Sequence, residues 1–395
     1  MPDSKLPTEK DFSVVVGGPF FQLLRRAHLT GDALELIRLR TVVITLFAWL
    51  PLLVLSLLNG QALEGTSYLP FLKDYSNLIR FLVGLPLLII AEVVVHQRMM
   101  LLISQFVQRK LIPEAEITKF YAAFESAKRW RNSIAAEALM IAVVLGIGYQ
   151  LLWKQAAGIE SEAWYNVPAV AGTSLSMAGI WFRYVSLPLF QFLLLRWYYR
   201  ILIWARFVFQ VSKIKLQLLP THPDHVGGLG FLSNAVHAFI PLALAHGVLT
   251  AAVIANKIAY HGAALPEFKV EIAVVVLWVI LLVLFPLMFF ASQLGDAKRN
   301  GGLEYGHLSS RFAREFEGRW MKEEWPKEHG GVGADIQSLS DLANSYSVVE
   351  NMRVVPITRN ALIMLVVTTL APIAPLVLTM MPLSEVLKMV AGALF

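Results

Sequence analysis

Ile272–Gln293 reads IAVVVLWVILLVLFPLMFFASQ and contains no charged side chain. A helix crosses about 30 Å of hydrocarbon with about 20 apolar residues at about 1.5 Å each, so this stretch is long enough to span a bilayer. Six others qualify: Thr41–Leu58, Leu78–Val95, Ile134–Trp153, Ser176–Leu195, Leu232–Asn256 and Ala361–Leu383. The first and last are also free of charge, and the fourth is joined through Arg183, which leaves its ends open. Composition agrees. Of 395 residues, 56% are hydrophobic and only 16% charged, with a mean hydropathy of +0.59, whereas soluble domains are nearer a quarter charged. The expected fold is all-α, a polytopic membrane protein with seven transmembrane helices.

Orientation follows from Lys and Arg, which collect on the cytoplasmic side. With the amino terminus inside, 27 of the 34 basic residues fall in the inner segments. The chain then divides into a cytoplasmic amphipathic segment (1–40), helices 1 and 2 (41–95), a cytoplasmic helical hairpin (96–133) and helices 3 to 6 (134–294). A cytoplasmic helical insert (295–360) and helix 7 with an outer tail (361–395) complete it. Met1–Phe12 is polar and no short apolar core with a cleavage site follows, so the first span is expected to serve as the insertion signal. The net charge of +6 fits this inside bias and anionic headgroups better than nucleic acid, which is not expected as a partner. The absence of cysteine excludes disulfides, thiolate metal sites and cysteine nucleophiles.

The inserts carry apolar stripes. Ile117, Phe120, Phe124 and Trp130 share one helical side; Leu308, Phe312, Phe316 and Trp320 form a second stripe, and Ile336, Leu339, Leu342, Tyr346 and Val349 a third, behind Asp335 as a cap. These faces are expected to pack on one another and on the stretch around Phe20 to Leu39, or else to bind a subunit or protein partner. Leu50-Pro51, Leu85-Pro86 and Leu187-Pro188 sit in similar surroundings that composition alone explains, and no inverted repeat is read.

Ionisable residues inside spans are costly unless paired or wetted. Glu92 late in the second span, Glu137 early in the third, Arg196 at the inner end of the fourth and His237 early in the fifth all fall in the cytoplasmic half. They suggest a polar cluster or inner vestibule on an ion or substrate pathway, against the alternative of snorkelling or structural ion pairs. His246 lies about 13 Å further out along the fifth helix; it suits a mid-membrane polar group or a hydrogen-bonded packing role. Arg196, Arg200 and Arg206, among Trp197, Tyr198, Tyr199 and Trp204, read as an interfacial belt. Six spans contain proline and the third contains Gly146 and Gly148, which favours an irregular bundle with freed carbonyls.

The segment Thr221-His222-Pro223-Asp224-His225-Val226-Gly227-Gly228-Leu229-Gly230-Phe231 stands at the inner mouth of the fifth span. Gly227, Gly228 and Gly230 permit left-handed turns and an anion-binding nest of amides. The segment lacks the lysine of a phosphate loop and the spacing of a dinucleotide fingerprint. His222, Asp224 and His225 are of metal-ligand type, with His307, His329 or Asp335 available to complete a shell, although the spacing matches no established motif. No cofactor is evident. Neither a Gly-x-Ser-x-Gly elbow nor a His-Glu-x-x-His helix is present, so an enzyme is not expected.

Gly18-Pro19-Phe20 with Arg25-Arg26, the segment His222–Phe231, Gly302-Leu303-Glu304-Tyr305-Gly306, and Asp335-Ile336-Gln337-Ser338-Leu339 with Asp341-Leu342-Ala343-Asn344-Ser345 together resemble a family of uncharacterised bacterial inner-membrane proteins. The resemblance covers nearly the whole chain and implies a multi-pass location in a bacterial cytoplasmic membrane; it implies no activity. The expected function is a channel or transporter for a small ion or polar solute. The alternative is a membrane-anchored sensor or scaffold that binds a partner through its cytoplasmic helices. The partners expected are the lipid bilayer, a second copy of the chain and a cytoplasmic protein.

Overall fold

The computed structural model describes residues 17–27, 36–63, 69–148, 163–169, 172–320 and 332–380. Ten helices and one two-stranded hairpin are used below. They are α1 (Pro19–Arg26), α2 (Ile37–Leu58), α3 (Tyr75–Gln108), α4 (Ile117–Arg131), α5 (Ile134–Val143), β1 (Asn166–Ala169), β2 (Gly172–Leu175) and α6 (Met177–Val211). After them come α7 (Gly230–His261), α8 (Leu265–Trp320), α9 (Val332–Glu350) and α10 (Arg359–Leu370). The strands pair antiparallel with Asn166 opposite Leu175.

Five of these helices, α2, α3, α6, α7 and α8, are long and apolar enough to cross a membrane. On α8, Val270, Val274, Leu277, Trp278, Leu281 and Phe285 are all exposed. Their three- and four-residue spacing makes a continuous apolar stripe, a surface suited to acyl chains and untenable in water. The third expected span is described only to Gly148, as α5 followed by a wide turn over Val144–Gly148, and its remainder lies outside the described residues. The seventh differs from expectation: it stops as an α-helix at Leu370 and resumes as a 3-10 turn over Ala374–Thr379. Pro372 and Pro375 withhold backbone N–H groups from the ladder there, which ends the α-helix.

Proline also shapes α3 and α6, and in the same way. In α3, residues Arg80–Gly84 form a π-turn, with Leu85 N–H donating to the Arg80 carbonyl, immediately before Pro86. In α6, Phe182–Ser186 do the same before Pro188, with Leu187 N–H donating to the Phe182 carbonyl. A widened turn keeps the proline ring clear of the preceding carbonyls. Each helix also opens on a side-chain cap: Asp74 accepts from Asn77 N–H, and Ser176 from Gly179 N–H. Two of the three Leu-Pro motifs therefore mark helices of like construction, which composition alone does not explain; Leu50-Pro51 lies within α2. The pair α3 and α6 run side by side in the same direction, with Phe81 against Phe182 and Phe190 and Trp197 Nε1 donating to the Leu88 carbonyl at 2.8 Å.

At the centre, α7 packs on α3, α8 and α10. Small residues permit the approach: a Cβ on Gly247 would stand 2.1 Å from the Thr369 carbonyl oxygen. Beyond the bundle, α4 packs its stripe on α6 through Phe120 and Phe207, ring centroids 5.9 Å apart. The last part of α8 and α9 pair with each other, Gly306 near Tyr346 and Trp320 Nε1 donating to Asp335 at 2.9 Å. Phe312, Phe316, Leu339 and Leu342 become half-buried in this pairing, while Leu308 and Ile336 remain exposed.

Candidate functional site

Glu92 lies two turns past Pro86 on α3, and three guanidinium groups converge on it. Arg40 of α2 reaches Oε2 at 2.5 Å, while Arg200 and Arg196 of α6 stand 2.7 and 3.4 Å from Oε1. Arg196 and Arg200 are four residues apart, so one face of α6 presents both. Arg196 also approaches Glu137 Oε1 at 3.7 Å. Glu137 sits in the first turn of α5, where the helix dipole favours an anion, behind a Ser133 cap. Its Oε2 accepts from the Phe20 N–H at 2.7 Å, and the Phe20 ring lies under the Arg196 guanidinium, 4.9 Å from centroid to Cζ. Gly18, at φ 92, donates to Asn132 Oδ1 at 3.0 Å and lets α1 close over the group; a Cβ there would meet the Arg131 carbonyl at 3.0 Å.

The five charged residues are between 1% and 8% exposed. Three positive and two negative charges leave a formal surplus of one positive charge. An ion pair at about 4 Å is worth about 4 kcal/mol at an effective dielectric of about 20, while each buried ion forfeits several kcal/mol of hydration. Such a network contributes little net stability, yet removing one member leaves the others uncompensated. Arg40 Nε and Nη1 are buried without a hydrogen-bond partner among the described residues.

Of the four residues expected to meet, the structure brings together Glu92, Glu137 and Arg196. His237 is half-buried, and its buried Nδ1 has no hydrogen-bond partner among the described residues. Arg196 and Arg200, expected in an interfacial belt, are buried instead because two carboxylates draw them inward; Arg206 does stack on an aromatic ring, Trp130, at 4.6 Å. Sequence reasoning missed Arg40 and Arg200 as members. The four-residue Arg196-Arg200 spacing and the position of Arg40 directly before an uncharged span were the available signals. His246 is separately satisfied: Tyr198 OH lies 2.9 Å from Nε2 and the Leu242 carbonyl 2.8 Å from Nδ1. An imidazole protonated on Nδ1 donates to Leu242 and accepts from Tyr198.

The glycine-rich segment forms left-handed turns at Gly227 and Gly228, and His225 also has φ 55. The expected nest of amides is filled by the chain itself. Asp224 Oδ1 accepts from Val226 and Gly228 N–H at 2.9 and 3.1 Å, and Oδ2 from Gly230 N–H at 2.8 Å. Burial raises the Asp224 carboxyl pKa, but these amides and His222, 3.0 Å away, outweigh it and hold the group below the ordinary aspartate range. The candidate metal shell does not assemble among the described residues. His225 Nδ1 faces the Val348 carbonyl at 3.4 Å, Asp335 is taken by Arg319 and Trp320, and His329 lies outside the described residues. Among the described residues no three His, Asp or Glu side chains are grouped to hold a metal ion.

At the opposite end of α3, buried Asp74 accepts from Trp164 Nε1 at 3.0 Å and Asn256 Nδ2 at 2.9 Å, and Asn77 Oδ1 accepts from Arg80 at 2.6 Å. This cluster ties α3, α7 and the segment before β1, and it too was missed from sequence. Its signal was an aspartate directly before a helical run. Comparison of the chain with protein-family models, curated proteins and solved structures finds no match.

Proposed function

We propose that the protein is a multi-pass transporter or channel for a small ion or polar solute in a bacterial cytoplasmic membrane, its amino terminus inside. The observation that carries this reading is the Arg40–Glu92–Arg196–Arg200–Glu137 network, drawn from α2, α3, α5 and α6 with α1 closed over it. Buried ions of this kind add little stability over apolar packing, and in membrane spans they mark ion and substrate pathways. The network lies at the basic end of the bundle, which the positive-inside rule assigns to the cytoplasm. In its paired form it acts as a closed inner gate, opened when a permeating ion or a proton replaces one of the pairs. The test is flux in proteoliposomes across a panel of ions. Flux is expected, altered by Glu92→Gln and Glu137→Gln; correctly folded protein with no flux for any ion overturns the proposal. His246→Ala reports separately, since a packing role changes stability without changing selectivity.

A second reading, a sensor or scaffold, is favoured by one observation: Leu303, Leu308 and Ile336 stay exposed on the α8–α9 hairpin. It takes a cytoplasmic protein or a second copy of the chain as partner. Deleting Gly302 to Met352 then abolishes partner capture or self-association while the bundle stays folded; unchanged association sinks it.

A further inference from the structure

A cleft of about 630 Å³ opens where the end of α3 meets the glycine-rich segment, lined by Arg109, Lys110, Leu111, Leu219, His222 and Gly228 among others. The turn that ends α3 has a cap of the Schellman type: Leu111 N–H donates to the Phe106 carbonyl at 3.1 Å and Lys110 N–H to the Val107 carbonyl at 2.9 Å. The left-handed position of that cap is glycine's by preference, since a Cβ there crowds the following carbonyl oxygen. Here it is Lys110, at φ 53. Among the described residues only Lys110 and His225 combine a side chain with positive φ, and both belong to the turns that border this cleft.

The cations are held ready. Arg109 Nε donates to Gln105 Oε1 at 2.8 Å and Nη1 to the Gly228 carbonyl at 3.4 Å, with the guanidinium 5.2 Å above the Phe231 ring. Its Nη2 and the Lys110 ammonium make no hydrogen bond among the described residues. Among the described residues no carboxylate lines the cleft. Asp224, beside the cleft and 3.0 Å from His222 Nδ1, has both oxygens occupied by the amides of Val226, Gly228 and Gly230, which leaves His222 Nε2 for a ligand. The cap closes the Phe106 and Val107 carbonyls, which would repel an anion.

The geometry points to a binding site for a soluble organic phosphate, such as a nucleotide: Arg109, Lys110 and His222 hold the phosphoryl group, and Leu111 and Leu219 cover its body. Guanidinium and ammonium groups are the usual phosphate partners, and the volume falls within the range of small-molecule sites. Lipid headgroups are the other source of phosphate. Arg109 stands about 20 Å along α3 beyond Val95, the last residue of its apolar stretch, whereas headgroups extend about 5–8 Å past the hydrocarbon. The site therefore takes a ligand from water, and its occupancy does not depend on what the bundle transports.

The test is equilibrium binding of adenosine monophosphate and inorganic phosphate to the full-length protein in nanodiscs of neutral or anionic lipid. Saturable nucleotide binding below about 1 mM is expected, tighter than inorganic phosphate and equal in both lipids. Arg109→Gln and Lys110→Gly each weaken it about tenfold. Lys110→Gly is the folding control, because glycine suits the left-handed turn and the variant melts no lower than the parent. No saturable nucleotide binding, binding of inorganic phosphate alone, affinity unchanged in both variants, or nucleotide binding suppressed by anionic lipid each overturns the proposal.

Discussion

The backbone N–H of Phe20 donates to Glu137 Oε2 at 2.7 Å, so the carboxylate that faces Arg196 also fastens α1 to the bundle. Glu137→Ala removes a charge-assisted hydrogen bond worth about 1.5–3 kcal/mol. Trypsin cleavage after the exposed Arg25 and Arg26 should quicken about tenfold or more as α1 lifts away. An unchanged cleavage rate would show that α1 is held by something else.

Glu92 is the shared partner of three guanidinium groups; its loss leaves buried Arg40 and Arg200 without a carboxylate among the described residues and Arg196 with Glu137 alone. Glu92→Gln is expected to cost about 3–5 kcal/mol, read from reversible unfolding in mixed micelles. A loss below about 1 kcal/mol would place the network in a hydrated setting, where ion pairs are weak.

Asp224→Ala leaves the amides of Val226, Gly228 and Gly230 without their acceptor, a loss of about 1–3 kcal/mol. The pH dependence has a fixed sign. A carboxyl whose folded pKa is depressed stabilises the fold fully above its unfolded value and loses that contribution as pH falls through the folded value. The parent should weaken below about pH 4, and Asp224→Asn should lack that part of the acid slope. Identical acid titrations of the two proteins would refute the assignment.

Glycines offer a paired control. On Gly247 a Cβ would meet the Thr369 carbonyl at 2.1 Å, so Gly247→Ala forces α7 from α10 and costs about 1–3 kcal/mol. A Cβ on Gly295, inside α8, meets nothing within 4 Å. Gly295→Ala should therefore be neutral or stabilising by up to about 1 kcal/mol. Thermal melts of both variants in one detergent decide the matter, and equal shifts would argue against the packing described.

Hydropathy made the long helices legible, because an uncharged stretch such as Ile272–Gln293 has few alternatives to a span. It overestimated the seventh α-helix: apolarity continues past Leu370, while Pro372 and Pro375 remove the donors an α-helix needs. Depth along the spans brought Glu92, Glu137 and Arg196 to one level, but His237, at a similar depth, makes none of their ion pairs. Arg40 and Arg200 were harder to read. A basic residue at the end of a span either turns out to headgroups or inward to a carboxylate, and only the positions of neighbouring helices decide which. The glycines of 227–230 announced a nest of amides without announcing that Asp224, three residues earlier, would occupy it.

The matched caps, π-turns and prolines of α3 and α6 lie 102 positions apart, Pro86 to Pro188, in neighbours pointing the same way. Like-directed copies relate through an axis along the bilayer normal, whereas antiparallel copies relate through one lying in the membrane plane. Swapping the conformations of such twins cannot turn an inward-facing form into an outward-facing one. Any alternation of access would have to arise from an element outside this pair, and α1, latched to Glu137 through the Phe20 N–H, is one such element.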